Sequence, residues 1–294
     1  MTNATVMWLM ERKPSVYAIL RLKDVLGWIP DKFQIDALDA DTQEKILNWC
    51  RQTGKTSVAS ILVSHQARFK KKSLSLIISA TQRQAGILQK RVQTCILGAS
   101  RHGWRYVKGM DLPADPLDEN SKMVRCSVLS MELGNGSEVV SVPASPDTVR
   151  GYSPDLLVLD EAARIPDLVY DAIRPMMATH PCRMFVISTP AGRRGWYYRE
   201  WISEDMSWFR SSVAADQCPR ITPEFLKKER LTMSSDAMFR QEYLCEFVEM
   251  EGSLFNREDL EDMHSDGDSM VLRPTTGGGE RWQKELLVDG GVLR

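Results

Sequence analysis

Apolar and polar positions alternate along this chain in two distinguishable ways. Short strand-like runs at 74–79, 155–159 and 182–188, the last two centred on the apolar stretches 156–159 and 184–187, have the length and composition of strands in a buried sheet. Runs with helical spacing lie at 15–26, 55–69, 82–97 (Ala85, Leu88, Val92, Ile96), 168–177, 196–202, 223–231 and 236–243. The first of these is amphipathic and is expected to end near Gly27 and Pro30; 33–48 reads as a second helical approach, overlapped by a strand over 46–50. Strand and helix thus alternate, which predicts an α/β domain with a mostly parallel central sheet flanked by helices. Between Met123 and Val142 two alternating stretches flank Gly134-Asn135-Gly136, a β-hairpin signal that reads as an insertion in the α/β pattern. A domain boundary is expected within 247–255 and a linker at Gly277-Gly278-Gly279, giving a helical segment over 1–32, a main domain over 33–248 and a short remainder over 249–294.

The chemistry begins between the strand over 46–50 and the helix over 55–69. Arg51-Gln52-Thr53-Gly54-Lys55-Thr56 ends in Gly-Lys-Thr at a helix mouth, where unpaired backbone N–H groups surround a phosphate. Gly54 lets the backbone approach, Lys55 neutralises β/γ oxygens, and the Thr56 hydroxyl coordinates magnesium. The usual pattern carries a further glycine at position 49, where this chain has Trp49. By itself such a turn also reads as a capped, solvated helix start. About a hundred residues later, Leu156-Leu157-Val158-Leu159 leads into Asp160 and Glu161 at the end of a strand. Asp160 suits the magnesium shell and Glu161 the general base that polarises water; together the two motifs predict an ATP hydrolase using ATP and Mg2+. Ser188-Thr189-Pro190 ends the next apolar strand, where hydroxyls can sense a γ-phosphate.

With these elements the sequence resembles the ATPase domain of the phage terminase large subunit, over about 33–255. The resemblance implies a P-loop NTPase of the ASCE type, acting as an ATP-driven motor that packages double-stranded DNA in the host cytoplasm. In that family the loop commonly lacks the first glycine and carries an arginine three residues before Gly-Lys, the place of Arg51. Phe33-Gln34 looks like the adenine-contacting glutamine motif, making Gln34 a nucleotide ligand; 79–85 looks like the helicase-type segment after the loop. Arg150, before Gly151, resembles an arginine proposed to reach a neighbouring subunit's γ-phosphate, although a structural arginine capping the next turn accounts for it equally. Asp160-Glu161-Ala162-Ala163 and Ser188-Thr189-Pro190-Ala191-Gly192 resemble the hydrolysis and coupling motifs, and 241–247 the end of the ATPase domain. Partners implied are a homo-oligomeric ring, a portal protein and a small terminase subunit. Helicase-like DNA remodelling, or a nucleotide-binding assembly protein without turnover, are the alternative readings.

Charge refines the picture. The chain holds 38 basic and 39 acidic residues, but nine acids and a single base, Arg257, fall within 246–268, so the rest carries a net +7. Candidate DNA contacts are Arg193 and Arg194 after the coupling motif, and Arg68, Lys70, Lys71 and Lys72 after the loop helix. Six cysteines without a C-x-x-C pair and four scattered histidines argue against zinc and redox motifs. No signal peptide or membrane span is evident. Residues 286–291 resemble the first strand of the family's ribonuclease H-like nuclease domain, with Asp289 as its leading metal ligand. Only five residues follow Asp289, so this chain alone is expected to be truncated and not to cut DNA.

Overall fold

The computed structural model describes residues 3–27, 29–101, 123–178 and 181–249, and the backbone of three strands between 269 and 292. Two compact units are distinguished, Met1–Val248 and Glu249–Arg294. In chain order the first contains α1 (Asn3–Arg12), α2 (Pro14–Tyr17), a π-helical turn (Ala18–Leu22), α3 (Lys23–Leu26), α4 (Lys32–Asp39), β1 (Glu44–Trp49), α5 (Lys55–Phe69), β2 (Leu74–Ser79) and α6 (Gln82–Arg101). After residues 102–122 come β3 (Met123–Cys126), β4 (Ser130–Leu133), β5 (Glu138–Pro143), α7 (Pro146–Val149), β6 (Leu156–Asp160), α8 (Asp167–Ile173), β7 (Arg183–Ser188), α9 (Gly195–Ile202), β8 (Trp208–Val213), α10 (Pro223–Thr232) and α11 (Asp236–Leu244). The second unit holds an antiparallel sheet of β9 (Ser269–Pro274), β10 (Trp282–Val288) and β11 (Gly291–Val292). Asp289 and Gly277 to Gly279 lie outside the described residues.

The main sheet has the strand order β3-β4-β5-β2-β6-β7-β1-β8, parallel from β5 to β8. Its apolar strands alternate between two cores. Leu47, Ile77, Val158, Phe185 and Ile187 face α5, α6 and the N-terminal helices; Ile46, Leu76, Ile78, Leu157, Leu159, Met184 and Val186 face α8 and α9. Such double coverage explains why these strands read as continuous hydrophobic runs. α5 is the central helix, buried from Ser57 to Arg68, which removes Arg68, at 2% exposure, from the candidate DNA contacts.

A further expectation needs correction, and one strand was not foreseen. The helical approach over 33–48 stops at Asp39, because an Asp31/Gln34 capping box starts α4 close to its core contacts and β1 must extend from Glu44 to pair with β7 and β8. The expected hairpin is present as an insertion between α6 and α7, and it joins the central sheet: β5 pairs in parallel with β2 from Leu74↔Glu138 onward and β4 pairs antiparallel with β5. A further strand, β8, was concealed by the polar run Arg210-Ser211-Ser212; Arg210 anchors it at the edge through the carbonyls of Asp205 (2.7 Å) and Glu200 (2.9 Å). The predicted helix over 15–26 is present with a π turn inside it, and ends at Gly27 in the left-handed conformation (φ 71°). Among the described residues no helix is long and apolar enough to cross a membrane.

Candidate active site

Because β7 lies between β6 and β1, the carboxyl ends of three strands stand side by side, with Ser188 opposite Asn48 and Asp160 opposite Ile187. The phosphate loop after β1, the Asp160-Glu161 pair after β6 and Ser188-Thr189-Pro190 after β7 are thereby brought together at one rim, the ligand-binding position in open parallel sheets. A cleft of about 620 Å³ opens there, lined by Gln34, Arg51, Gln52, Gly54, Lys55, Thr56, Ser57 and Glu161, and also by Gln84, Arg91 and Arg220.

Trp49 closes β1 rather than opening the loop. Its ring is fully buried, packs edge-on to Phe33 (4.9 Å between centroids) and donates from Nε1 to Ser211 Oγ at 3.0 Å. The strand therefore fills with an indole a position that a longer loop gives to glycine, while the Trp49 carbonyl remains in the site: Lys55 Nζ donates to Trp49 O (2.7 Å) and Cys50 O (2.9 Å). Burial pushes the Lys55 ammonium pKa down, opposed by Glu161 and other nearby groups. Gly54 has φ +86°, and a Cβ there would approach Gln34 Nε2 to 2.7 Å, so both the turn and the close approach require glycine. Gln34 is buried, with Nε2 donating to Thr53 O (2.6 Å) and Oε1 accepting from Asp31 N (2.8 Å). Both ends of its amide thus serve the loop and the α4 cap. Thr53 is buried and donates to Cys50 O at 2.7 Å; Arg220 pairs with Asp31 and donates to Thr53 O (3.3 Å).

Asp160 is buried at the end of β6; burial, together with the adjacent Glu161, pushes its carboxyl up to about 7, opposed by Lys55. Glu161 adopts φ 53°, a left-handed conformation uncommon for a residue with a side chain, and its carboxylate accepts from Arg164 Nη1 at 3.0 Å. Ser188 is buried and its hydroxyl is engaged inside the protein, accepting from Ala163 N (3.1 Å) and donating to Thr189 O (2.7 Å). It braces the turn that carries Glu161; Thr189 and Pro190 are buried beside it.

Sequence reasoning missed the role of α11. Its Glu242 accepts from Arg51 Nε (2.6 Å) and Arg164 Nη2 (3.4 Å), Gln241 Oε1 accepts from Gly192 N (3.2 Å), and Asn48 Nδ2 donates to Cys245 O (2.9 Å) just beyond the helix. All three motif-bearing strand ends are thus tied to one helix. The available signal was the polar pair Gln241-Glu242 within an otherwise mixed helix. Arg150 stands apart: it follows α7, is 68% exposed, lies 3.9 Å from Asp147 and does not line the cleft. Arg193 and Arg194 are exposed before α9, and Arg193 Nε donates to Phe247 O (3.0 Å). Lys71 and Lys72 are exposed, while Lys70 pairs with Asp155 (2.6 Å).

Comparison with known proteins converges on one family. The model of the terminase large subunit, T4likevirus-type, N-terminal region matches residues 46–262. The terminase large subunit of Thermus virus P23-45 is 23% identical over 269 residues, covering 81% of this chain and 52% of the relative; the chain spans about half the length of the curated relatives from the Thermus phages. The large terminase ATPase domain of Thermus phage P74-26 superposes with a TM-score of 0.62 at 24% identity, covering 77% of this chain and 97% of that one. The large terminase of a thermophilic bacteriophage, solved in complex with ATP-gamma-S, gives 0.54 at 14% identity over 74% of this chain and 52% of the other. These likenesses establish the P-loop ASCE fold. The chain belongs to the phage terminase large subunit family, and its described main unit carries that family's N-terminal region in the fold of a large terminase ATPase domain.

Proposed function

We propose that this chain hydrolyses ATP to drive double-stranded DNA translocation during viral genome packaging, in the host cytoplasm and as part of a homo-oligomeric ring that meets a portal protein and a small terminase subunit. The observation that carries the reading is the meeting of Lys55, Thr56 and Glu161 around one cleft, with buried Asp160 at the same rim, in a chain of the terminase large subunit family. A nucleotide is the occupant favoured by the N-terminus of α5 and by the ATP-gamma-S complex of a relative of the same fold.

The residues divide the work. Backbone N–H groups from Gly54 to Thr56 receive phosphate oxygens, and Lys55 exchanges its two loop carbonyls for phosphate. Thr56 and Asp160 suit Mg2+: a desolvated carboxyl held up to about 7 has an unmet need for positive charge. When bound, the cation spreads the charge of the phosphates. Glu161 accepts the proton of the attacking water. Exposed Arg150 is free of the cleft of its own chain and is assigned to that of a neighbour, whereas Arg193 and Arg194 are assigned to DNA.

Turnover with Mg-ATP and duplex DNA tests the assignment. Glu161→Gln is expected to lower kcat by about 10²–10⁴-fold while ATP still binds. Parent turnover no higher than that of Glu161→Gln, with and without DNA and portal, would rule out the motor.

A further inference from the structure

The charges behind the cleft form one chain of contacts: Arg51 to Glu242 (2.6 Å), Glu242 to Arg164 (3.4 Å), Arg164 to Glu161 (3.0 Å). The members differ in freedom. Glu242 is the fixed one, its side chain only 6% exposed and its backbone oxygen accepting from Arg51 N at 3.3 Å. The two guanidinium groups are the exposed ones, at 61% for Arg51 and 39% for Arg164, and so have room to turn. A buried carboxylate has to keep a cation beside it, because leaving it unpaired costs several kcal/mol. Here two cations share that duty unequally, and the weaker holder, Arg164, also grips Glu161.

We propose that Glu242 and Arg164 act as a charge pivot that holds Glu161 while the cleft is empty of phosphate and releases it when phosphate draws Arg51 away. The inference rests on the reading of Glu161 as the base. Arg51 lines the cleft, so a polyphosphate competes with Glu242 for its guanidinium. Once Arg51 turns to phosphate, Glu242 retains only Arg164. Closing the 3.4 Å contact pulls Arg164 toward α11 and off the Glu161 carboxylate, which can then face water. Arg164 and Glu242 are positioning residues, since neither has to touch the substrate. The same contacts run in reverse: a displacement of α11 that carries Glu242 away returns Arg164 to Glu161 and stops hydrolysis, so α11 and the phosphate site are reciprocally coupled.

The pivot makes a sign-reversing prediction for steady-state turnover of the full chain with Mg-ATP and DNA. Glu242→Gln leaves Arg164 with Glu161 as its sole acidic partner in the chain of contacts, so kcat is expected to fall about tenfold while KM changes less than about threefold. Adding Arg164→Gln to Glu242→Gln frees Glu161 and is expected to recover kcat by about threefold or more, whereas independent structural defects multiply. Arg164→Gln alone, at a half-exposed position, is expected to hold kcat at or above the parent value. Arg164→Lys, whose ammonium can grip Glu161 without forking to both acids, is expected to lower kcat. A double variant no faster than Glu242→Gln overturns the pivot. So does a tenfold loss in Arg164→Gln, which decides the matter even where Glu242→Gln fails to fold. Glu161→Gln separates the two levels: parent-like turnover in that variant removes the base and the pivot together, whereas an inactive Glu161→Gln beside a slow Arg164→Gln removes the pivot alone.

Discussion

The two ends of the parallel strands treat charge in opposite ways. At the amino ends, acids meet partners: Glu44 at the start of β1 accepts from Arg174 at 2.6 Å, and Asp155, just before β6, accepts from Lys70 Nζ (2.6 Å) and from Leu74 N (2.8 Å). At the carboxyl ends Asp160 is buried with its carboxyl pushed up to about 7, Lys55 is held down by burial, and Glu161 sits in a left-handed turn. The same sheet therefore has one rim that completes the fold and another that stores unmet electrostatic demand for a ligand. Four substitutions would break or sharpen this contrast, beginning with the largest effect.

Trp49 stands at the functional rim but belongs to the packed interior. Trp49→Gly, which restores the usual loop pattern, is expected to cost about 4 kcal/mol and to leave nucleotide affinity no better. Denaturant unfolding alongside nucleotide titration checks this; a gain in affinity would return position 49 to the loop. Asp160→Asn comes next. Its folded carboxyl pKa lies above the unfolded value, so the folded form holds the proton more tightly. The contribution is fully present below about pH 4 and is lost as pH rises through about 7, at most ~4 kcal/mol. Nucleotide-free parent protein should lose melting temperature between pH 5 and 8, and Asp160→Asn should lose clearly less. Equal slopes would remove Asp160 as the strained group.

At the opposite rim the acid is paired. Asp155→Ala is expected to cost about 2 kcal/mol, seen as a lower melting temperature at pH 7, with kcat unchanged. A fall in kcat at matched folded fraction would show that the rims are not separable. Smallest is Arg174→Gln: with its guanidinium half-exposed, the pair with Glu44 is worth about 1 kcal/mol or less, and turnover should stay level.

How much of this was legible depended on where the determining contacts lie. β2, β6 and β7 were readable because burial on both faces leaves nothing but apolar or small residues in 74–79, 156–159 and 184–188. The loop and the Asp160-Glu161 pair were readable because their chemistry is local to six residues and two residues. β8 was not, since an edge strand can carry Arg210, Ser211 and Ser212 without exposing a pattern. The passage from α4 to β1 was blurred because 39–45 carries no glycine or proline to mark a break, and only pairing decides where the helix must stop. Arg164 and Glu242 are separated by 78 positions, so nothing along the chain announces their contact. Gln34 was flagged for a ligand, and what the fold adds is that both ends of its amide already hold Thr53 and Asp31.

One feature of the hairpin bears on mechanics. Asn135, in the turn between β4 and β5, donates from Nδ2 to the carbonyls of Ala67 (2.8 Å) and Arg68 (3.3 Å), and its own carbonyl accepts from Lys72 N (3.2 Å). It thereby clasps the far end of α5, whose near end is seated in the phosphate loop. A beam clamped at both ends neither slides nor rotates when load arrives at one of them. On the proposed motor reading, a stroke started by phosphate is then expected to be delivered sideways across the rim, toward α11, and not lengthwise down α5.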